Sequence, residues 1–349
     1  MKTNHRKTRT RRSSVGRRPN AHIATGIAVF GLVSFGVFGV TYAMMLPLLQ
    51  TQPATQSVAV LNTATTTPSG PNAYAQISLI GKSAIVYDLT TGQTLYAQNS
   101  NAELPLASIT KLLTLYAAAN VLQPTSPVTM TPDSVAETND AADAGFKKGE
   151  TFSFEDLARL TLAASSNNGA QAIADAATAA QTSNTTSLLA GAAASIGLTQ
   201  THATNGTGLD INSEVAGGYG SAHDIAVLAG ALLKQDPLIA QATTLPSISI
   251  TSQQGDTHTF ANTDIDVTHL PDPLLSKTGY TDLAGGNLVV VYDAAINHPV
   301  AIVVLGSTES GRFTDVQQLV SATLAHFAGT LPAAPVPTSN FINASSTSV

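Results

Sequence analysis

The order of elements along the chain predicts an α+β fold, an antiparallel sheet with helices packed on it. Two strand-like runs come early, a block of helical patterns fills the middle, and three more strand-like runs precede a last helix. A parallel sheet would require strand and helix to alternate, which they do not. Composition agrees: of 349 residues, 43% are hydrophobic and 11% charged, enough for one large core with flanking segments. No internal repeat is present.

The elements follow in order. Runs at 83–88 and 94–98 are strand-like and are joined across Thr90-Thr91-Gly92, a hairpin signal. Pro105 precedes a helical stretch at 107–121. Ser153, with Asp156 three residues on, marks a helix start that leads into Leu157, Leu160 and Leu162. Helical patterns recur at 169–180, at 185–196 (stopped by Gly197) and at 221–233. Strand-like runs at 247–250, 287–292 and 300–305 come next, then a helix at 312–327. The folded body is expected over 75–329.

Charge is divided unevenly. Residues 1–22 hold Lys2, Arg6, Lys7, Arg9, Arg11, Arg12, Arg17 and Arg18 and no acidic residue. The remainder has 8 basic against 22 acidic residues, a formal −14 behind the overall −6. A basic arm alone is compatible with a solvated tail or nucleic-acid binding. The next segment decides between them, because residues 23–46 carry no charge and are rich in Ile, Val, Phe, Leu, Gly and Ala. That length suits a membrane-spanning helix, which needs about 20 apolar residues, better than a signal-peptide core of about 7–15. Thr41-Tyr42-Ala43 is a mediocre cleavage site. The expectation is a cytoplasmic arm (1–22), a single-pass anchor (23–46), a flexible linker (47–74) rich in Thr, Pro, Gln and Ser, an extracytoplasmic body, and a disordered tail (330–349). Nucleic acid is not an expected partner. The absence of cysteine removes disulfides, thiolate catalysis and a lipidated cysteine anchor.

Three short motifs carry the chemistry. In Ser108-Ile109-Thr110-Lys111, at a helix start, residues three apart share a face, so the Lys111 amine can reach the Ser108 hydroxyl. A serine needs an adjacent base to become a nucleophile, and a desolvated lysine can be that base. The helix N-terminus also offers N–H groups to a developing oxyanion. Ser165-Ser166-Asn167 closes one helical pattern and opens the next, and by itself reads as a capping turn. Lys277-Thr278-Gly279, ahead of the strand-like run at 287, by itself reads as a turn with a useful glycine. Singly, each is weak. Together and in this order they match the set known from penicillin-binding proteins and class A β-lactamases. Two of the body's six lysines (Lys82, Lys111, Lys147, Lys148, Lys234 and Lys277) fall on motif positions.

With these motifs the chain resembles the low-molecular-mass penicillin-binding proteins of the D-alanyl-D-alanine carboxypeptidase type, over about 84–327. Further likeness lies in Phe146-Lys147-Lys148-Gly149-Glu150, Asn205-Gly206-Thr207-Gly208-Leu209-Asp210, Ala261-Asn262-Thr263, and Gly306 followed by Arg312-Phe313-Thr314-Asp315. The resemblance implies a β-lactamase/transpeptidase-like fold, the antiparallel sheet packed with helices plus an all-helical subdomain. It implies a serine-type D-Ala-D-Ala carboxypeptidase that trims peptidoglycan stem peptides through an acyl-enzyme and is acylated by β-lactams. By the same resemblance Ser108 is the nucleophile, Lys111 its base, and Ser165 a proton relay to the departing amine. Asn167 would hold the substrate backbone and Lys277 would keep the site electropositive. Thr278 would bind the terminal carboxylate, Gly279 would admit the substrate strand, and the N–H groups of Ser108 and Tyr280 would form the oxyanion hole. Two departures from the family's common form are expected: nothing foldable over 330–349, where relatives often have a β-rich second domain, and Ser166 and Asn168 where relatives usually have Gly and Asp.

Other activities fit less well. A class A β-lactamase needs a deacylating glutamate between the second and third motifs, and the one glutamate there, Glu214, lacks the expected setting. A D-alanyl endopeptidase would use the same residues, and a non-catalytic wall-binding scaffold would keep the fold without need of all five side chains. No cofactor is expected. No metal is expected either, because His202, His223, His258, His269, His298 and His326 show no paired ligand spacing.

Overall fold

The computed structural model describes residues 72–136 and 145–329. The chain divides into two units, Met1–Ala64 and Thr65–Val349, and the described residues belong to the second. The expected arm (1–22), anchor (23–46), nearly all of the linker and the tail (330–349) lie outside the described residues. Among the described residues no helix is long and apolar enough to cross a membrane.

The first hairpin is β1 (Ser83–Asp88) and β2 (Thr94–Gln98), followed by the two-residue β3 (Leu104–Pro105). A single 3-10 turn, Ala107–Ile109, leads into α1 (Thr110–Ala119). The helical block then runs through β4 (Pro127–Thr129), α2 (Pro132–Ala136), β5 (Thr151–Ser153), α3 (Phe154–Ala163), α4 (Asn167–Gln181) and α5 (Thr185–Ser195). Short strands β6 (His202–Ala203) and β7 (Gly218–Gly220) precede α6 (Ala222–Gln235) and α7 (Pro237–Ala242). The chain ends in hairpin β8 (Ser247–Thr251) and β9 (Thr257–Ala261), three long strands β10 (Pro273–Thr281), β11 (Gly285–Asp293) and β12 (Pro299–Ser307), and α8 (Gly311–Phe327).

The main sheet has the order β10-β11-β12-β1-β2 and is antiparallel throughout. Its central strands alternate between two cores, as the two-residue period of a strand requires. Ile85, Val289, Val291, Ala301 and Val303 face a core shared with Ile225, Leu228 and Leu232 of α6. Ala84, Val86, Val290, Tyr292, Ile302 and Val304 face a second core with Val316 and Leu319 of α8. Helices on both sides explain why 288–292 and 300–305 are continuous apolar strings. The run at 247–250 belongs to the separate β8–β9 hairpin and not to this sheet.

In the helical block α1 is the centre, packed by α4, α5 and α6 and buried nearly all round, including both Thr110 and Lys111. Side-chain caps set the neighbouring helix starts. Ser153 accepts from Asp156 N–H at 3.1 Å, Ser166 from Gly169 N–H at 3.0 Å, and Ser221 from Asp224 N–H at 3.1 Å. The expected start at Ser153 is therefore seen, and the capping reading of Ser165-Ser166-Asn167 applies to its middle residue.

One expectation changes. Lys277-Thr278-Gly279 lies within β10, the sheet's edge strand, and is not a turn ahead of β11. The physical reason is burial: this polar stretch is covered by the 3-10 turn at 107–109, so it extends as a strand despite lacking an apolar pattern.

Candidate active site

Packing brings the 3-10 turn against β10, and two features permit it. A Cβ on Gly279 would stand 2.9 Å from Leu106 O and 3.2 Å from Ile109 N, so only glycine lets the strand lie on the nucleophile's turn. Gly279 is thus required first by this packing, a role distinct from admitting substrate. Asn287 of β11 is the second feature. Its fully buried amide donates to Pro105 O and Leu106 O, both at 3.0 Å, and accepts from Gly306 N–H at 2.8 Å.

Two residues beside the site, one in the turn and one between α3 and α4, carry backbone strain. Ala107, just before Ser108, has φ 49°, and Ser165 has φ 61°. Neither is glycine, and residues held in this left-handed region cost of order 1 kcal/mol each. Loop 205–210 presses on the turn from behind, with Gly208 at φ +79° against the Ala107 carbonyl.

Side chains from three elements meet here. Lys111 Nζ, fully buried, donates to Ser108 Oγ at 2.7 Å, to Asn167 Oδ1 at 2.7 Å and to Thr207 O at 2.9 Å. From the edge strand, Lys277 Nζ donates to Ser165 Oγ at 2.8 Å and to Thr278 O at 2.7 Å. Two buried lysine side chains thus hold the two motif serines. Ser108 is 9% exposed and Ser165 7%, at the floor of a cleft of ≈ 480 Å³. Thr278 lines the same cleft, and Tyr280, 48% exposed, stands at its rim.

All eight residues named from sequence therefore lie together, in the cleft or within hydrogen-bonding or packing contact of it. Several residues that sequence reasoning left without a role join them. Arg312 lines the cleft and donates from Nη1 to Gly279 O at 2.8 Å. Burial lowers its pKa, yet an arginine stays charged. In the sequence it carries likeness alone, although one of only two arginines outside the basic arm is a signal in so weakly charged a body. Phe260, Asn262 and Thr263, at the end of β9 and just beyond, form the facing wall. Thr278 Oγ1 donates to Thr263 Oγ1 at 2.6 Å. Burial raises the carboxyl pKa of Asp264 against the opposing effect of its Ser276 hydrogen bond.

Asn168, where relatives usually have Asp, is fully buried and donates from Nδ2 to Ser134 O at 2.6 Å. A carboxylate would set two acceptors against each other there, so the amide suits this local partner. Glu214 is exposed in the loop between β6 and β7 and does not line the cleft. Among the described residues no group of three His, Asp or Glu could hold a metal.

Comparison with known proteins agrees with this geometry. The family model described as D-alanyl-D-alanine carboxypeptidase matches residues 66–309. The D-alanyl-D-alanine carboxypeptidase DacB2 of Mycobacterium tuberculosis is 32% identical over 201 residues, covering 57% of this chain and 66% of that protein. A D-alanyl-D-alanine endopeptidase of Pseudomonas aeruginosa is 30% identical over 244 residues, covering 68% of this chain and 74% of that protein. The crystal structure of a D-alanyl-D-alanine carboxypeptidase from M. tuberculosis superposes with TM-score 0.61 at 27% identity, over 71% of this chain and 92% of that one. Penicillin-binding protein D2 of Listeria monocytogenes, in its ampicillin-bound form, shares the fold with TM-score 0.60 at 23% identity, over 71% and 98%. On this evidence the chain belongs to the D-alanyl-D-alanine carboxypeptidase family of serine peptidases.

Proposed function

We propose that the chain is a serine-type D-Ala-D-Ala carboxypeptidase that trims peptidoglycan stem peptides through an acyl-enzyme on Ser108. The observation that carries this is the buried Lys111 amine 2.7 Å from Ser108 Oγ, with Lys277 bonded to Ser165, which lines the same cleft as Ser108. In its neutral form Lys111 takes the Ser108 proton as Oγ attacks the carbonyl between the two terminal D-alanines. The backbone N–H groups of Ser108 and Tyr280 receive the oxyanion. The C–N bond then breaks, and the departing amine gains a proton by way of Ser165, which the Lys277 amine orients. Asn167 holds the substrate backbone. Thr278 and the Arg312 guanidinium receive the terminal carboxylate. Water next attacks the Ser108 ester, releases the shortened peptide and restores the hydroxyl.

The experiment is incubation of the protein with an acylated tripeptide ending in D-Ala-D-Ala, read by D-alanine release and by the mass of a Ser108 acyl adduct. No release and no adduct from folded protein would remove this function. A crosslinked dimer assayed in parallel separates trimming from crosslink cleavage, the activity in the name of the Pseudomonas relative. Lys277→Met is expected to lower kcat/KM by about 10²- to 10³-fold, the range for removing one electrostatic stabiliser. The same variant should leave thermal unfolding within a few degrees of wild type, because Met keeps the volume.

We also propose that 23–46 anchors the chain in the membrane with the body outside, because that uncharged run follows eight basic residues. Full-length protein should stay with the membrane after carbonate extraction, and a chain lacking residues 1–46 should be recovered in the soluble fraction. Release of the full-length chain by carbonate would defeat the anchor.

A further inference from the structure

The cleft beside Ser108 is larger than the group that the proposed reaction releases. Thr278 and Arg312 line it together with Ser108 and Ser165, whereas Asn167, assigned above to the substrate backbone, does not. The space therefore belongs to the residue that departs, the one that carries the terminal carboxylate. Its volume, ≈ 480 Å³, falls in the range of about 300–1,000 Å³ that encloses drug-sized molecules. D-Alanine presents to it no more than a methyl group.

The lining of that space combines apolar surface with a single pair of charges. Ala164, Phe260 and Ile265 supply the apolar surface, and Ile265 is 73% exposed. Among the described residues, Arg312 and Glu309 are the charged residues that line it. Arg312 is buried and bound to Gly279 O. Glu309 is exposed and, among the described residues, forms no ion pair. The two charges act on each other: burial lowers the Arg312 pKa, and the Glu309 carboxylate is the leading effect that opposes it.

The backbone that carries Glu309 is fixed. Thr308 Oγ1 accepts the Gly311 N–H at 2.9 Å, and Thr308 O accepts the Arg312 N–H at 3.1 Å. A Cβ on Gly286 would stand 2.0 Å from Thr308 O and 3.0 Å from Glu309 N, so the run into α8 lies against β11. Residues 308–312 thus place an open carboxylate in the same cleft as the guanidinium that takes the substrate's carboxylate.

We infer that Glu309 is a specificity-determining residue for the departing group, favouring a D-residue with a long side arm that ends in an ammonium over one that ends in a carboxylate. With the terminal carboxylate held at Arg312 and Thr278, an arm on the same carbon enters a space whose remaining charge, among the described residues, is Glu309. This rests on the carboxypeptidase reading above. The covalent step is unchanged: the Ser108 ester forms, the C–N bond breaks, and the departing amine takes its proton by way of Ser165.

The test is release of the last residue by the full chain from four acylated tripeptides, which end in D-Ala followed by D-alanine, D-norleucine, D-lysine or D-glutamate. D-Norleucine reads the room for an arm, and lysine against glutamate reads its charge. In wild type, kcat/KM is expected to be up to about fivefold higher for D-lysine than for D-norleucine and lower by as much for D-glutamate, the upper end for an exposed ion pair. Added salt should shrink this preference. Glu309→Gln should bring D-lysine and D-glutamate within about twofold of each other, the charge partner being gone. Glu214→Gln, which removes an exposed acid outside the cleft, is the control and should keep the wild-type preference. A preference that survives Glu309→Gln, or that Glu214→Gln abolishes equally, would overturn the role of Glu309. Release of D-alanine without release of D-norleucine or D-lysine would overturn it too, because the cleft would then not admit an arm. A folded wild type that releases none of the four removes the carboxypeptidase reading, and this role with it. Release without the charge preference removes this role alone.

Discussion

Ser108→Ala is expected to leave a folded protein that takes no covalent label from a fluorescent penicillin and releases D-alanine at least about 10⁴-fold more slowly than wild type, as for loss of a nucleophile. The change deletes one oxygen, and Lys111 keeps Asn167 Oδ1 and Thr207 O as acceptors. The structural cost is therefore about one hydrogen bond, roughly 1 kcal/mol. Loss of label with retained folding isolates chemistry from stability. Gel fluorescence and intact mass, followed by peptide mapping of the adduct, provide the readout. A label that persists in Ser108→Ala, or a folded wild type that takes none, would remove Ser108 from the mechanism and bring forward a wall-binding scaffold on the same fold.

Gly208→Ala should be the most damaging small substitution away from the reacting groups. A Cβ there would stand 2.0 Å from Ala107 O and 2.7 Å from Thr110 Oγ1, at a φ of +79°. No rotamer relieves an overlap with backbone, and the left-handed conformation adds about 1 kcal/mol for a residue with a Cβ. A loss of about 3–4 kcal/mol in urea unfolding is expected, in the range of overpacked or strained core positions. Penicillin acylation should slow as well, because the overlap displaces the turn that carries Ser108 and the neighbouring Thr207 carbonyl bonds Lys111. Gly191→Ala, in the helix α5 with nothing near its Cβ, is the control and should be neutral or slightly stabilising. Matching unfolding midpoints for the two variants would show that loop 205–210 is not pressed on the nucleophile turn.

Much of the fold was legible because the signals are local. Ser153 with Asp156 marked a cap, and the uninterrupted apolar runs at 288–292 and 300–305 marked buried strands. The edge strand β10 was not legible, since Ser276-Lys277-Thr278-Gly279 has neither alternation nor β-branched content beyond one threonine. Its extended form comes from a partner far away in sequence, the turn at 107–109. Strands β3 and β6, of two residues each, are too short to carry a period. The site followed the same pattern. Ser108 and Lys111 could be paired from helix geometry, whereas the Lys277–Ser165 bond spans 112 residues and the Arg312–Gly279 bond 33, which no spacing rule anticipates. The reason for Gly279 was likewise hidden, because it depends on what the folded chain places opposite.

The strand order β10-β11-β12-β1-β2 has a consequence for how activity arises during synthesis. β1, the first strand made, finds its partner in β12, among the last, with Ser83 opposite Leu305 and Asp88 opposite Val300. The nucleophile's turn is likewise made early, and the surface on which it rests arrives with β10 and Asn287. Contacts so distant in sequence form late in folding, because the loop between them must close first. A chain emerging N-terminus first would therefore carry Ser108 and Lys111 long before they can react, and acylating activity would switch on only as the final strands dock.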